Sequence, residues 1–168
     1  MFSEVHFHWG KKTGEGSESL VDGCSYSAEM HAVFWKKEYG SKKEALKYRD
    51  GLALVAYFLE VKDENPALQR LLDKIEDVIV PNNPVQISPF MLEKLTPPFR
   101  RKYVTYEGSM SIPPCLQVVT WFVRLKPLHI SLEQLKQFRL LEYEDGKPIT
   151  MNFRPTQPLH GRIVSYKD

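Results

Sequence analysis

Three histidines have the types and spacing of a metal site. His6 and His8 are separated by one residue, and His31 lies in a second apolar run further along the chain. Side chains two residues apart leave the same face of an extended strand, so His6 and His8 can point both imidazoles at one ion. His31 can complete the set from a neighbouring strand. Three neutral imidazoles leave one corner of a zinc tetrahedron open, which is typical of a catalytic zinc site.

The elements that must position these histidines are predicted to be strands. Five runs are apolar or alternating and are rich in aromatic and branched residues, a pattern that indicates sheet. They comprise residues 5–9, 28–35, 52–61, 116–125 and 162–166. Several of these runs are largely apolar, which predicts strands that are buried on both faces.

Two helices and one irregular segment are predicted between the strands. Apolar residues from Pro66 to Val78 recur at helical spacing behind a proline that suits a first turn. Ser131 and Gln134 form a capping-box pattern, which predicts the start of a second short helix. Prolines at positions 81, 84, 89, 97 and 98 indicate a long irregular segment. We expect its apolar residues to pack against the core, namely Ile87, Phe90, Met91 and Leu95.

Composition excludes several classes of protein. The chain has 168 residues, of which 42% are apolar, and this favours one ordinary soluble domain with a sizeable core. The formal net charge is +2, and basic residues are interspersed with acidic ones, so no nucleic-acid partner is predicted. The longest apolar run, residues 52–59, is far shorter than the roughly 20 residues of a membrane-spanning helix. No signal peptide precedes Val5.

Three further motifs accompany the histidines in chain order. They are Gly16-Ser17-Glu18, the segment from Tyr106 to Pro114, and the segment from Asn152 to Leu159. Together with the histidines they closely resemble the alpha class of carbonic anhydrases, from Glu4 to about Tyr166. The resemblance implies a mixed α/β, mostly β fold, with a central, largely antiparallel twisted sheet and peripheral short helices. It also implies zinc-dependent, reversible hydration of carbon dioxide to bicarbonate and a proton through a zinc-bound hydroxide.

The resemblance assigns roles around the metal. His6, His8 and His31 align with the three zinc ligands of the family. Glu29 matches the acidic partner of His31, and Glu4 stands where a glutamine usually supports the first ligand. A carboxylate at either position can accept the second ring N–H of a ligand histidine, which orients the ring.

Three other positions support the site in the family. Asn152 matches a residue whose backbone supports the second ligand. Ser111 and Glu18 resemble the catalytic pair that orients the reacting oxygen, with serine in place of the usual threonine. Because serine lacks the methyl group that restricts the threonine rotamer, we expect looser orientation. Ser19 and Phe34 stand where histidines are common, and neither position is a metal ligand in the family.

An apolar wall for carbon dioxide is implied by the resemblance alone, since such residues are core in any sheet protein. It consists of Val33, Leu54, Met110, Ile112, Val119 and Trp121. Met110 replaces a usual leucine and Ile112 a smaller residue, so the pocket is expected to be narrower and less polar. The implied partners are carbon dioxide, bicarbonate and water, with sulfonamides or anions as inhibitors.

Two alternatives stay open about the whole protein. Family members carry a substantial segment before the strand of His6 and His8, so residues 1–168 are expected to form a single, incomplete domain. Loss of that segment would expose sheet edges and leave proton transfer to buffer or water. The alternative to an active zinc lyase is therefore a catalytically weak or inactive carbonic-anhydrase-like binding module or fragment.

The two cysteines bear on localisation. Cys115 matches a cysteine that extracellular members pair with one near their N-terminus, so the parent protein is expected to be secreted or membrane-attached. Two cysteines are also compatible with a reducing compartment, which leaves a cytoplasmic location as the alternative. Cys24 is either free or bridged to Cys115, and the sequence does not decide between them.

Overall fold

Six strands form one sheet in the order β1-β2-β3-β5-β4-β6. The computed structural model describes all 168 residues. The strands are β1 (Phe2–Trp9), β2 (Ala28–Trp35), β3 (Leu52–Val61), β4 (Tyr103–Gly108), β5 (Val119–Ile130) and β6 (Ser165–Lys167). The α-helices are α1 (Lys42–Ala45), α2 (Pro66–Leu72), α3 (Leu92–Leu95) and α4 (Leu132–Phe138). Single turns of 3-10 helix occupy Lys37–Tyr39 and Glu76–Val78.

The sheet is largely antiparallel, which confirms the predicted fold class. Only β3 and β5 pair in parallel, while the other neighbouring strands are antiparallel. A parallel pair cannot be joined by a tight turn and needs a long crossover. The segment that connects β3 to β5 accordingly contains α2, the irregular proline-rich stretch, α3 and β4.

One strand was missed, and the bounds of three others differ from their predictions. β1 begins at Phe2 and not at Val5, β5 begins at Val119 and not at Leu116, and β6 covers Ser165–Lys167 and not residues 162–166. β4 was not predicted, because its six residues mix polar and aromatic side chains without alternation, and its two neighbours in the sheet supply the hydrogen-bond ladder. β5 extends to Ile130 and does not end at Leu125. An irregularity in its pairing with β3 lets the strand pass Pro127, whose missing N–H would otherwise interrupt the ladder.

The two faces of the sheet carry different side chains because residues alternate along each strand. Trp9 and Met30 lie on one face, where helices α2 and α4 cover them with Leu68, Leu72 and Phe138. The opposite face carries the histidines and a second apolar cluster, formed by Val33, Leu52, Leu54, Ala56, Phe58, Val118, Val119, Trp121 and Val123. Each fully buried large side chain stabilises the fold by about 1.5–3 kcal/mol.

The two predicted helices, α2 and α4, begin where expected, but α2 ends early, and α1 and α3 were not predicted. Asn65 accepts the N–H groups of residues 67 and 68 through its side chain, with Pro66 in the first turn. Helix α2 ends at Leu72, and the predicted stretch up to Val78 becomes a separate 3-10 turn. Ser131 and Gln134 form both hydrogen bonds of the capping box, which confirms the start of α4. No helix has the length and apolar character that crossing a lipid bilayer requires.

The irregular segment is less buried than predicted. Leu95 is 2% exposed and packs in the core, and Phe90 is partly buried against it. The expectation that Ile87 and Met91 are buried is wrong, since they are 38% and 62% exposed. Ile87 and Met91 lie outside the helices and strands, so no regular backbone hydrogen bonds hold them against the sheet.

Candidate metal centre

The strand register brings the three histidines together. His6 on β1 is directly opposite His31 on β2, and His8 is opposite Glu29. The ligand nitrogens of the three rings all lie within 4.8 Å of one another. His31 Nδ1 is 3.2 Å from His6 Nε2. Two nitrogens on a tetrahedral zinc, each about 2.0–2.1 Å from the metal, are about 3.3 Å apart, so this spacing suits zinc.

Hydrogen bonds to the outer ring nitrogens turn the inner nitrogens of two rings towards the centre. His31 Nε2 donates to Glu29 Oε1 at 2.8 Å, and both side chains are fully buried. His8 Nδ1 donates to the backbone oxygen of Asn152 at 3.2 Å. Such outer partners fix the tautomer of a metal-ligating histidine.

One buried atom is left for a ligand. His8 Nε2 is inaccessible to solvent and has no hydrogen-bond partner in the protein. Native proteins rarely leave a buried nitrogen of this kind unpaired, because the loss of its water bond is not compensated. The residues present therefore fit a zinc ion, with His6, His8 and His31 as the donor set.

The side chain of Asn152 contributes as well as its backbone. Its Oδ1 accepts the N–H of Trp9 at 2.7 Å, and its Nδ2 donates to the oxygen of Phe7 at 3.0 Å. These two bonds lie on either side of His8 in β1, which is an edge strand. Asn152 thus attaches edge strand β1, which carries His6 and His8, to the C-terminal segment. The resemblance implied only a role for the Asn152 backbone and did not predict this role of its side chain.

The surroundings of His6 and His8 favour their neutral forms. Burial, followed by the positive charge that His31 and His8 would carry, lowers the pKa of His6 to about 4. Burial and the nearby His31 likewise lower the pKa of His8. Burial opposes the negative charge of Glu29, but hydrogen bonds from His31 and Ser19 outweigh it and lower the pKa of Glu29. Neutral rings beside an ionised carboxylate are the forms that bind a divalent metal.

Acidification is expected to destabilise the metal-free protein through His6. The ordinary pKa of 6.5 in the unfolded chain exceeds the native value of about 4, so the unfolded state takes up the proton first as pH falls. The neutral His6 ring therefore contributes its full stability above pH 6.5, and this contribution is lost as pH falls from 6.5 to about 4. Between pH 7 and pH 5 we expect a loss of about 1 kcal/mol, reduced from the full shift because the ring is half-buried.

Urea unfolding of the metal-free protein at the two pH values measures this effect. The His6→Gln variant, which does not titrate at that position, is the control. Equal pH dependence in the variant and the unmodified protein would contradict the assignment to His6.

The proposed catalytic pair presents two more buried atoms without partners. Glu18 Oε1 accepts the backbone N–H of Arg154 at 2.8 Å and lies 3.2 Å from His8 Nδ1. Glu18 Oε2 and Ser111 Oγ have no hydrogen-bond partner, although both are inaccessible to solvent. Both residues line the same cavity. The structure therefore leaves the Ser111 hydroxyl and one carboxylate oxygen available for hydrogen bonds at the site.

Glu4 has other partners than the one predicted. Its Oε2 accepts from Lys42 Nζ at 2.8 Å and from Ser3 Oγ at 3.4 Å. The hydrogen bond from Lys42 lowers the pKa of Glu4. None of the hydrogen bonds of Glu4 goes to His6, so the support of the first ligand by this carboxylate stays a prediction.

The apolar residues predicted to hold carbon dioxide lie on the histidine face. Val33 is opposite Leu54, which is opposite Trp121 on β5, and all three are buried. The edge of the His31 ring contacts Trp121, with ring centroids 4.8 Å apart. Val119 is also buried, Met110 packs against this cluster, and Ile112 is 40% exposed.

A cavity lined in part by Glu18 and Glu29 was not predicted from the sequence. It has a volume of about 360 Å³, and its walls include Glu18, Ser19, Glu29 and Tyr106. Burial and the negative charge of Glu29 raise the pKa of Tyr106 to about 12, so its hydroxyl stays protonated. The only sequence signal for Ser19 was its position next to Glu18, because nothing in the local pattern shows that it faces Glu29.

Both cysteines are free thiols. Cys24 is exposed, and Cys115 is half-buried in the turn after β4. Of the two arrangements left open by the sequence, the structure therefore has unpaired cysteines. The expected secreted or membrane-attached location of the parent protein stays a prediction.

Comparison with known proteins agrees with the geometry. The sequence model of the family described as eukaryotic-type carbonic anhydrase matches residues 1–168. Carbonic anhydrase 7 of Mus musculus and that of Homo sapiens are each 45% identical to this chain over 166 residues. These alignments cover 96% of the chain and 62% of each relative.

A more distant relative covers the same region. Carbonic anhydrase 3 of Homo sapiens is 37% identical over 165 residues, with 96% of this chain and 63% of the relative aligned. The chain thus spans somewhat less than two thirds of the length of these relatives. Family match, identity and the histidine-bearing sheet agree, and the chain belongs to the eukaryotic-type carbonic anhydrases.

Proposed function

We propose that this chain binds zinc through His6, His8 and His31 and catalyses the reversible hydration of carbon dioxide to bicarbonate and a proton. The observation that carries the proposal is the buried, unpartnered His8 Nε2, which lies within 4.8 Å of one imidazole nitrogen of His6 and one of His31. Membership of the carbonic anhydrase family supports the reaction class. Zinc held by three histidines supplies a Lewis acid that lowers the pKa of a bound water to about 7, a value established for carbonic anhydrase itself.

The role of the protein is first to hold the ligands. Glu29 accepts the outer N–H of His31, and the backbone of Asn152 accepts that of His8. Because each ring has only one N–H in its neutral form, these bonds leave a lone pair on the inner nitrogen. The rings are thus oriented before the metal binds, which reduces the entropy that binding would cost.

The second role is to orient the reacting oxygen. Glu18 is held by the backbone N–H of Arg154, and an ionised carboxylate can only accept hydrogen bonds. A Ser111 hydroxyl that donates to Glu18 has only lone pairs left for other partners. It therefore accepts a hydrogen bond from the O–H of the reacting oxygen and so turns a lone pair of that oxygen towards the substrate.

The third role is to bind carbon dioxide without hydrogen bonds. Val33, Leu54, Val119 and Trp121 form a buried apolar surface on the same sheet face as His31. A small apolar substrate gains free energy by leaving water for such a surface. The charged bicarbonate product gains nothing comparable there, so it leaves for water. A sulfonamide or an inorganic anion is expected to compete for the open metal position.

One observation favours a second candidate function. Ser111 Oγ and Glu18 Oε2 are both unpartnered, so the hydrogen bond between them on which orientation depends is not formed in this structure. A site that binds zinc but does not orient the reacting oxygen would be a catalytically weak or inactive binding module.

Stopped-flow hydration of carbon dioxide on the purified, zinc-loaded chain tests the proposal. We expect turnover above the uncatalysed rate that rises with buffer concentration, because no histidine of the site other than the ligands is present to relay the proton. A sulfonamide should abolish this turnover. Folded, zinc-loaded protein without turnover would contradict the proposed catalytic activity and favour the binding module.

A further inference from the structure

Both oxygens of the buried Glu29 carboxylate are held by the same residue. Ser19 donates its backbone N–H to Glu29 Oε2 at 2.8 Å and its hydroxyl to Glu29 Oε1 at 3.1 Å. The same Oε1 accepts from His31 Nε2 at 2.8 Å. Glu29 and His31 are fully buried, so no water competes for these bonds.

From this geometry we infer that Ser19 is a positioning residue for the metal centre, which acts on His31 through Glu29. The inference rests on the proposed zinc site and adds a residue to it. The Ser19 hydroxyl and the His31 ring share one carboxylate oxygen, so the hydroxyl determines where that oxygen lies in relation to the ring. Partners of this kind, one step removed from the ligand, affect metal affinity by about 10–100-fold.

The hydroxyl adds a second restraint on the carboxylate. Rotation about the Cγ–Cδ bond of Glu29 moves both oxygens, and without the hydroxyl the Ser19 N–H opposes this rotation at Oε2 alone. Ser19 and Glu29 both line the cavity of about 360 Å³, so on that side the carboxylate depends on its hydrogen bonds more than on close packing. A tightly packed environment would have prevented the rotation without any hydroxyl.

Ser19 is itself held by its loop. The buried Ser17 donates its hydroxyl to the Ser19 oxygen at 2.7 Å, and the same hydroxyl accepts the N–H of Tyr26 at 2.9 Å. The backbone N–H of Ser17 also donates to the Tyr26 oxygen at 3.0 Å. These bonds attach the loop to the chain just before β2. Glu18 thus belongs to the proposed catalytic pair. The next residue, Ser19, bonds the Glu29 carboxylate that accepts from His31.

The rate of zinc dissociation tests the inference. Zinc-loaded protein is mixed with an excess of a chelator, and metal release is followed for the unmodified chain and for Ser19→Ala. We expect release to be about tenfold faster in Ser19→Ala. Ser19→Thr, which keeps the hydroxyl, should stay within about threefold of the unmodified chain. Ser25→Ala removes a hydroxyl of the same loop that contacts Ser17 and Tyr26 but not Glu29, and should leave release unchanged.

A second readout does not need the metal. In the metal-free protein, the Nε2 proton of His31 should give a downfield, slowly exchanging NMR signal, because it is buried and bonded to a carboxylate. In Ser19→Ala we expect this signal to shift upfield and to exchange faster. Unchanged zinc release and an unchanged signal in Ser19→Ala would overturn the inference, as would Ser19→Thr behaving like Ser19→Ala or Ser25→Ala showing the same loss.

The outcomes separate this inference from the proposed enzyme. Faster zinc release in Ser19→Ala, from a chain that holds zinc without turnover, supports the inference and contradicts the enzyme. Equal release in an active chain contradicts the inference alone. An unmodified chain that does not bind zinc contradicts both.

Discussion

Replacing His31 with alanine is expected to abolish zinc binding at stoichiometric concentration together with carbon dioxide hydration. His31 is the proposed ligand from the interior strand β2, and it is fully buried between β1 and β3. Without it only two imidazoles face the centre. Since the loss of a ligand's hydrogen-bond partner alone costs about 10–100-fold in affinity, loss of the ligand itself should exceed about 100-fold. Equilibrium competition with a zinc chelator, followed by stopped-flow assay, measures both effects.

Two further variants make this result interpretable. His31→Ala leaves Glu29 as a buried carboxylate without its ring partner, a change that costs about 3–5 kcal/mol of stability. His31→Gln retains an N–H donor for Glu29 and is expected to fold better while binding zinc as poorly. His129→Ala removes an exposed histidine that pairs with Asp63, and should keep zinc and activity. Full zinc affinity in His31→Gln would contradict the assigned ligand set.

Glu18→Gln is expected to lower kcat/KM by about 100-fold without loss of zinc, which is within the range of a lost proton-positioning group. The amide has a similar shape but can donate hydrogen bonds as well as accept them. If its N–H donates to Ser111 Oγ, the hydroxyl is free to donate to the reacting oxygen and turns that oxygen away from the substrate. The orientation would then be lost while the metal site stays intact.

The Ser111 variants test the same pair from the other side. Ser111→Ala should reduce kcat/KM by a similar factor, and the double variant with Glu18→Gln should be little worse than either single one, because the residues act as a unit. Ser111→Thr should match or exceed the unmodified chain, since the added methyl group restricts the rotamer. Additive losses in the double variant would contradict a shared role.

Some elements were predictable because their signal is local. β2 and β3 have the predicted bounds, since their near-continuous apolar runs are the pattern of strands buried on both faces. The starts of α2 and α4 followed from Pro66 and from the Ser131 capping box. β4 and the extension of β5 past Pro127 depend on strands from elsewhere in the chain, so no local pattern indicated them.

The sequence likewise indicated some features of the candidate site and not others. The spacing of His6 and His8 indicated one strand face, and Glu29 two residues before His31 indicated a carboxylate beside that ligand. The sequence did not show that the Asn152 side chain bonds β1 on both sides of His8. It also did not show that the Glu4 carboxylate bonds Lys42. In each of these contacts the two residues lie far apart in the sequence.

The sequence by itself determined the family, the three histidines and the strands that carry them, because residue type, two-residue periodicity and motif order are properties of short segments. Only the tertiary structure decided which nitrogen of each ring faces the centre, where Ser19 lies and which buried polar atoms lack partners. Those features depend on hydrogen bonds between separate strands and loops, and their geometry exists only once the sheet has formed.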